Sequence, residues 1–277
     1  RYSKECSQVN MSVVIGDEQH RYRRIDMKAT YKCDLLSPSG YSKAARNQIR
    51  GMLEVGVDVR VEDRKKDPSS IDPDEFWRKN ASKCINKSAE KQGVVIWHET
   101  PDFFSPLPHN YNIGCVPWET SHIPAVFLSG KARSNWVAQM NRMNEIWTAA
   151  ESSKKAFEES GVKVPITVIP HPIDLEAFCP SEKVPLRNEL DQPFDEVLSL
   201  LSVFQWNMRK NPVDLLNYYL ATFNTYEDVR LFVKTYRQMA ADTNDISFCR
   251  NEIKRIKAQL HLDKPPAIQA LWSRIPE

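Results

Sequence analysis

His98 and Glu99 stand directly after the apolar run Gly93-Val94-Val95-Ile96-Trp97, and Arg209 and Lys210 stand just beyond a second run, residues 197–204. A histidine so placed can share a proton or hydrogen-bond a hydroxyl. Two adjacent cations ahead of a helix beginning near Pro212 can cradle a diphosphate, helped by the positive end of that helix. Lys234, just after Leu231-Phe232-Val233, would approach the same edge from the neighbouring strand. Ser39-Gly40-Tyr41-Ser42, between a strand and a helix, can offer backbone N–H groups to an anion or sugar. Glu119, after Trp118 and a strand over 112–117, can accept hydrogen bonds from sugar hydroxyls. His109 and His122 fall in loops and read as solvated, whereas Phe127, Phe157 and Phe178 read as core.

These residues need elements that bring them to one edge. In open α/β sheets ligands sit outside the carboxyl ends of the strands, so a strand that runs into charged residues marks a site. The stretch 29–36 has strand composition, 37–40 is turn chemistry, and Ser42 can cap a helix with Ala45, Ile49, Met52 and Leu53 on one face. Gly56 ends that helix and 57–61 alternates as the next strand, completing a βαβ unit. Residues 75–91 have helical composition. Beyond the strand over 93–97, the pattern predicts helix over 132–143, strand over 145–149, helix over 152–160 closed by Gly161, and strand over 165–169. After a Pro-bearing linker come strand 197–204, helix from about Pro212 to Phe223, strand 229–233, helix near 251–260 and strand 267–271. Residues 1–27 read as a leading strand plus loop.

The expected architecture is α/β: two Rossmann-like domains facing a cleft, residues 1–179 and 195–277, joined by a linker over 180–194. The second domain has fewer strands than such a unit normally uses and reads as incomplete at its C-terminal end.

The chain has 277 residues, 38 basic and 36 acidic side chains and a net charge of +2, so no strong field attracts nucleic acid. No apolar run approaches the ~20 residues that span a bilayer, and residues 1–4 lack a signal-like apolar segment. Six scattered cysteines (Cys6, Cys33, Cys84, Cys115, Cys179, Cys249) include no C-x-x-C pair and no zinc spacing, and read as buried thiols. Three N-x-S/T sequons, at Asn10, Asn80 and Asn86, leave the compartment open between cytoplasm, slightly favoured, and a secretory lumen.

Taken in order, the motifs resemble the retaining family 4 glycosyltransferases of the GT-B fold. Gly40 with its helix and residues 53–59 resemble the family's opening glycine loop, first helix and second strand. His98-Glu99-x-Pro101 is similar to its His-Glu-x-Pro, where the histidine lies beside the reacting sugar. Residues 145–161 and Ile169-Pro170-His171-Pro172-Ile173-Asp174 are similar to its strand–helix–glycine segment and its interdomain signature. Arg209-Lys210 matches the pair that holds the donor diphosphate. Pro172 replaces a usual glycine and Ala150 stands near a usual serine, and the family's acidic donor-ribose motif, a Glu-x7-Glu expected later in the second domain, is not reached before Glu277.

The resemblance implies a hexosyltransferase-like enzyme of carbohydrate biosynthesis that moves a sugar, with retention, from a nucleotide diphosphate donor to a hydroxyl of a glycan, lipid or protein. His98, Arg209 and Lys210 would be catalytic, and Arg209, Lys210 and Lys234 would bind the donor. Gly40, Tyr41, Glu99 and Glu119 would face the acceptor or sugar. No metal or other cofactor is expected. The rival readings are a non-catalytic nucleotide- or carbohydrate-binding protein and a sugar-nucleotide epimerase on the same scaffold.

Overall fold

A computed structural model describes residues 27–37, 39–64, 77, 80, 84, 85, 92–123, 135–173, 175, 178–180, 198–223, 228–236, 243–262 and 264–271. The leading strand expected before residue 27, most of the helix expected over 75–91, Phe127 and all of the linker except Pro180 lie outside them. Two all-parallel sheets organise the rest.

The first sheet contains β1 (Lys28–Cys33), β2 (Asp58–Asp63), β3 (Val94–His98), β4 (Tyr111–Cys115), β5 (Glu145–Thr148) and β6 (Ile166–Val168), in the order β2-β1-β3-β4-β5-β6. Chain direction across the sheet reverses between β1 and β3, and this switch point is where doubly wound sheets open a crevice for ligands. Cys33 pairs with His98 in register, so both strands end at that crevice.

Helix α1 (Gly40–Glu54) links β1 to β2. Ser39 caps it, its hydroxyl accepting from Ser42 N at 3.1 Å. Gly56 follows it at φ +89°, a left-handed geometry that lets Val57 N reach back to Met52 O at 3.0 Å. Its apolar stripe, with Ala45 and Ile49 wholly buried, packs on Tyr31, Ile96 and Ile113 to form one core layer. On the opposite face, helices α2 (Trp136–Met140) and α3 (Glu151–Glu159) cover a second layer built on Val95, Phe104, Ile146 and Phe157. Gly114 is required there. A Cβ on it would stand 2.6 Å from the Phe104 ring and 2.8 Å from Ile146.

The second sheet is β7 (Leu198–Gln205), β8 (Val229–Tyr236) and β9 (Ala267–Leu271), in that order. Helices α4 (Pro212–Thr222) and α5 (Thr243–Gln259) pack on one face, where Leu216, Leu220 and Ile256 meet Phe204, Leu231 and Val233. On the other face Leu201 and Val203 are exposed.

Several elements differ from their expected limits. β8 continues to Tyr236, so Lys234 lies inside it rather than after it. Helix α5 starts eight residues before the expected Asn251, at Thr243, and its stripe of Ile246, Cys249, Ile253 and Ile256 runs at helical spacing across that expected start. α2 is short, and Asn135 caps it by accepting from Ala138 N at 3.0 Å. Phe178, expected in the core, is 67% exposed, with Lys43 Nζ 6.0 Å from its ring centre. Cys33, Cys84, Cys115 and Cys249 are buried free thiols, but Cys179 is exposed. Among the described residues, no helix is long and apolar enough to cross a membrane.

Candidate active site

The site begins at the switch point. His98 is the last residue of β3, and the 3-10 turn Pro101–Phe103 takes the chain away from the sheet. Its side chain is fully buried on the α1 side, where Nδ1 lies 2.7 Å from the Tyr31 hydroxyl. The ring of Tyr41, in the first turn of α1, meets the imidazole edge-on at 4.7 Å.

Burial drives the pKa of His98 down to about 3, and the nearby His171 imidazole adds to the shift. The ring is therefore neutral at pH 7 and acts as a hydrogen-bonding group rather than a cation. His171 belongs to the segment after β6 that returns to α1, where Asn47 Nδ2 donates to Pro172 O at 2.8 Å. Partial burial lowers the His171 pKa as well.

Three polar atoms mark where a ligand would fit. His98 Nε2, Tyr41 Oη and Asp102 Oδ1 are buried without a hydrogen-bond partner among the described residues. Buried polar groups are nearly always paired, so unpaired ones gathered around a crevice point to a ligand with hydroxyls. Burial above all keeps the hydroxyl of Tyr41 protonated, and the Glu99 and Asp102 carboxylates add to the shift. Burial likewise raises the Cys115 pKa to about 12, which rules it out as a thiolate nucleophile.

Glu99 is buried beside His98, but one of its carboxylate oxygens is held by Arg64 Nε at 2.9 Å. The Arg64 guanidinium in turn covers the Phe103 ring at 4.3 Å. Gly40 is exposed at the start of α1. The turn that precedes it is pinned by a residue whose role the sequence did not reveal. Arg46 is buried, and its Nη1 donates to Leu35 O at 2.8 Å and to Ser37 O at 3.3 Å.

Arg209 and Lys210 lie in a 3-10 turn, Met208–Lys210, between β7 and α4. Asn207 organises the turn by accepting from Lys210 N at 3.1 Å, and Asn211 turns the chain into α4 at φ +48°. Both cations are exposed. Arg209 Nη1 reaches the other lobe and meets Glu119 Oε2 at 2.6 Å. Glu119 is carried on an anchored loop, since Ser153 Oγ donates to Trp118 O at 2.6 Å and the Trp118 and Trp136 rings meet edge-on at 5.6 Å. Lys234 stands two residues back from the end of β8, on the sheet face turned away from α4 and α5, and burial lowers its pKa.

The structure thus joins His98, Tyr41 and Asp102 at one crevice and links Arg209 to Glu119 across the two lobes. Glu99, next to His98, is tied to Arg64, and Lys234 lies within β8. Tyr31, Gln48 and Asp102 were not among the expected site residues. Gln48 had a signal, a polar residue inside the apolar stripe of α1 three positions from Ala45 and four from Met52. Among the described residues, no group of three or more His, Cys, Asp or Glu side chains is arranged to hold a metal ion.

No protein-family model and no curated protein sequence matches this chain. Solved structures do. It is similar to Anabaena HepE in complex with UDP and glucose, at 11% identity and a TM-score of 0.59, over 90% of this chain and 70% of that one. It is also similar to the trehalose-6-phosphate synthase OtsA, at 11% identity and a TM-score of 0.56, over 90% of this chain and 74% of that one. A third likeness, to the N-terminal domain of Candida albicans trehalose-6-phosphate phosphatase, has 12% identity and a TM-score of 0.53, over 91% and 73% of the two chains. At these identities the likeness is one of fold, the paired Rossmann-like units of the GT-B arrangement.

Proposed function

We propose that this chain transfers a hexose from a nucleotide diphosphate sugar to a hydroxyl of a glycan, lipid or protein acceptor, with retention at the anomeric carbon, as the family 4 glycosyltransferases do. The observation that carries the proposal is the pairing of two chemistries across the lobes. A neutral, buried imidazole with unpaired hydroxyl-binding atoms around it lies at the switch point of one sheet. An exposed Arg-Lys pair lies at the end of the other and reaches toward the first through Glu119.

The difficult step is cleavage of the glycosyl–phosphate bond, in which negative charge builds on the departing diphosphate. Arg209 and Lys210 stabilise that charge, Lys234 contributes from β8, and a preorganised donor of this kind is worth roughly 3–4 kcal/mol. Since these cations neutralise the leaving group, the proposed reaction takes no metal ion. His98 and Tyr41 orient hydroxyls of the transferred sugar. Gly40 borders the acceptor, and Glu99 and Glu119 accept from hydroxyls nearby. UDP-glucose is the first probe, since the Anabaena protein of similar fold was solved with UDP and glucose.

The test is release of nucleoside diphosphate by the 277-residue chain from UDP-glucose and a panel of other nucleotide sugars, with and without hydroxyl acceptors. Release that disappears in Lys210→Ala is expected. Binding without release supports a non-catalytic nucleotide- or carbohydrate-binding protein instead, and interconversion of nucleotide sugars with no acceptor supports an epimerase.

A further inference from the structure

Gln48 is a buried amide in the apolar stripe of α1, and such a group is tolerated only when it is hydrogen-bonded. Its Oε1 accepts from the Tyr31 hydroxyl and from the Cys115 thiol, the latter at 3.7 Å. These three side chains and His98 share one face of the first sheet, because Tyr31 lies two positions before Cys33, the register partner of His98, and Cys115 follows the partner of Trp97.

A tyrosine has one proton to give. Once it is donated to Gln48, the phenolic oxygen can face His98 Nδ1 at 2.7 Å only as an acceptor, and Nδ1 must carry the imidazole hydrogen. A neutral imidazole has a single N–H, so Nε2 is left with a bare lone pair. That atom is the buried, unpartnered nitrogen of the ring that Tyr41 meets edge-on.

We propose that Tyr31 and Gln48 are positioning residues that hold His98 in the Nδ1–H tautomer, so that Nε2 accepts a hydrogen bond from a hydroxyl of the transferred sugar. The identity of the ligand rests on the transferase reading above, whereas the tautomer is a property of the ligand-free chain. The depressed pKa of His98 keeps the ring neutral across the pH range in which proteins are handled, so one tautomer persists throughout.

Long-range ¹H–¹⁵N correlation of the histidine rings reads the tautomer directly in the intact chain at pH 7.5, with the His98 signals assigned by their loss in His98→Asn. The expected wild-type pattern is a protonated Nδ1 and a bare Nε2. Gln48→Leu removes the acceptor, so the Tyr31 proton turns to Nδ1 and the pattern reverses to Nε2–H. Gln48→Glu restores an acceptor and with it the wild-type pattern.

UDP-glucose, or whichever nucleotide sugar the wild-type chain binds, is expected to bind about tenfold more weakly to Gln48→Leu than to Gln48→Glu, the scale of one hydrogen bond lost. An Nε2–H wild-type ring overturns the proposal, as does a tautomer indifferent to Gln48→Leu. The wild-type spectrum decides even if that variant fails to fold. The expected tautomers with no nucleotide sugar bound support the relay and count against the transferase reading.

Discussion

Arg209 Nη1 and Glu119 Oε2 meet at 2.6 Å, joining a turn of the second lobe to a loop of the first across 90 residues of sequence. Both side chains are more than half exposed, so the pair itself contributes no more than ~1 kcal/mol. Its interest is chemical. The cation proposed to hold the diphosphate is engaged by a carboxylate, so a donor must draw it away, and the freed carboxylate then becomes available to an acceptor hydroxyl.

Glu119→Gln separates these two roles. Removing the competing charge should lower the donor KM about two- to fivefold, the range of an exposed ion pair. The acceptor KM should rise, because a neutral amide accepts less strongly. Steady-state kinetics with each substrate varied in turn checks this, and a donor KM that rises instead would mean Glu119 supports the donor.

Arg209→Ala and Lys210→Ala should each reduce kcat by roughly 10²–10³-fold, as loss of an oxyanion-type donor does elsewhere. Neither side chain is buried, so the unfolding free energy from urea titration should stay within about 0.5 kcal/mol of the parent. Loss of activity together with stability would assign the turn a structural role.

The depressed pKa of His98 makes stability depend on pH. Unfolded, the imidazole takes up a proton below about 6.5; folded, it does so only near 3. Between these values the unfolded state binds more protons, so stability is complete above about pH 6.5 and falls as the pH drops, by ~1.4 kcal/mol per unit for this group. Urea denaturation from pH 7.5 to 4 should show that slope, and His98→Asn should flatten it by the same amount.

Two substitutions probe the supporting frame. Gly114→Ala should destabilise by about 1–3 kcal/mol, because its methyl would strike Phe104 and Ile146 beneath the site. Ala150→Ser should stabilise by about 1 kcal/mol, since Ala150 is the N-cap of α3 and offers no side-chain acceptor. Thermal melts of both variants measure these changes.

Two strand ends were legible because an apolar run followed by charge is a local pattern, although the same pattern failed at β8, which runs on through Lys234 to Tyr236. It located β3 with His98 and β7 with the Arg209 turn, and β9 coincides with the strand expected over 267–271. Helix limits were less legible. The start of α5 has only two members of the stripe, Ile246 and Cys249, among polar residues, whereas Ile253 and Ile256 further on pack against the second sheet. The partners of each site residue were the least visible. That Glu99 would be tied by Arg64, or that Tyr31 and Gln48 would stand behind His98, depends on strand order and register, which no local spacing encodes. Phe178 misled for a related reason, since its side chain is apolar but the segment after β6 lies across the surface of α1.

The most direct measurement is the configuration of the transferred sugar, read from the anomeric proton of the product by NMR after turnover of an α-linked nucleotide sugar with a hydroxyl acceptor. An α-linked product that is lost in both His98→Asn and Lys210→Ala is the predicted result. A β-linked product, or turnover indifferent to either substitution, would contradict the account.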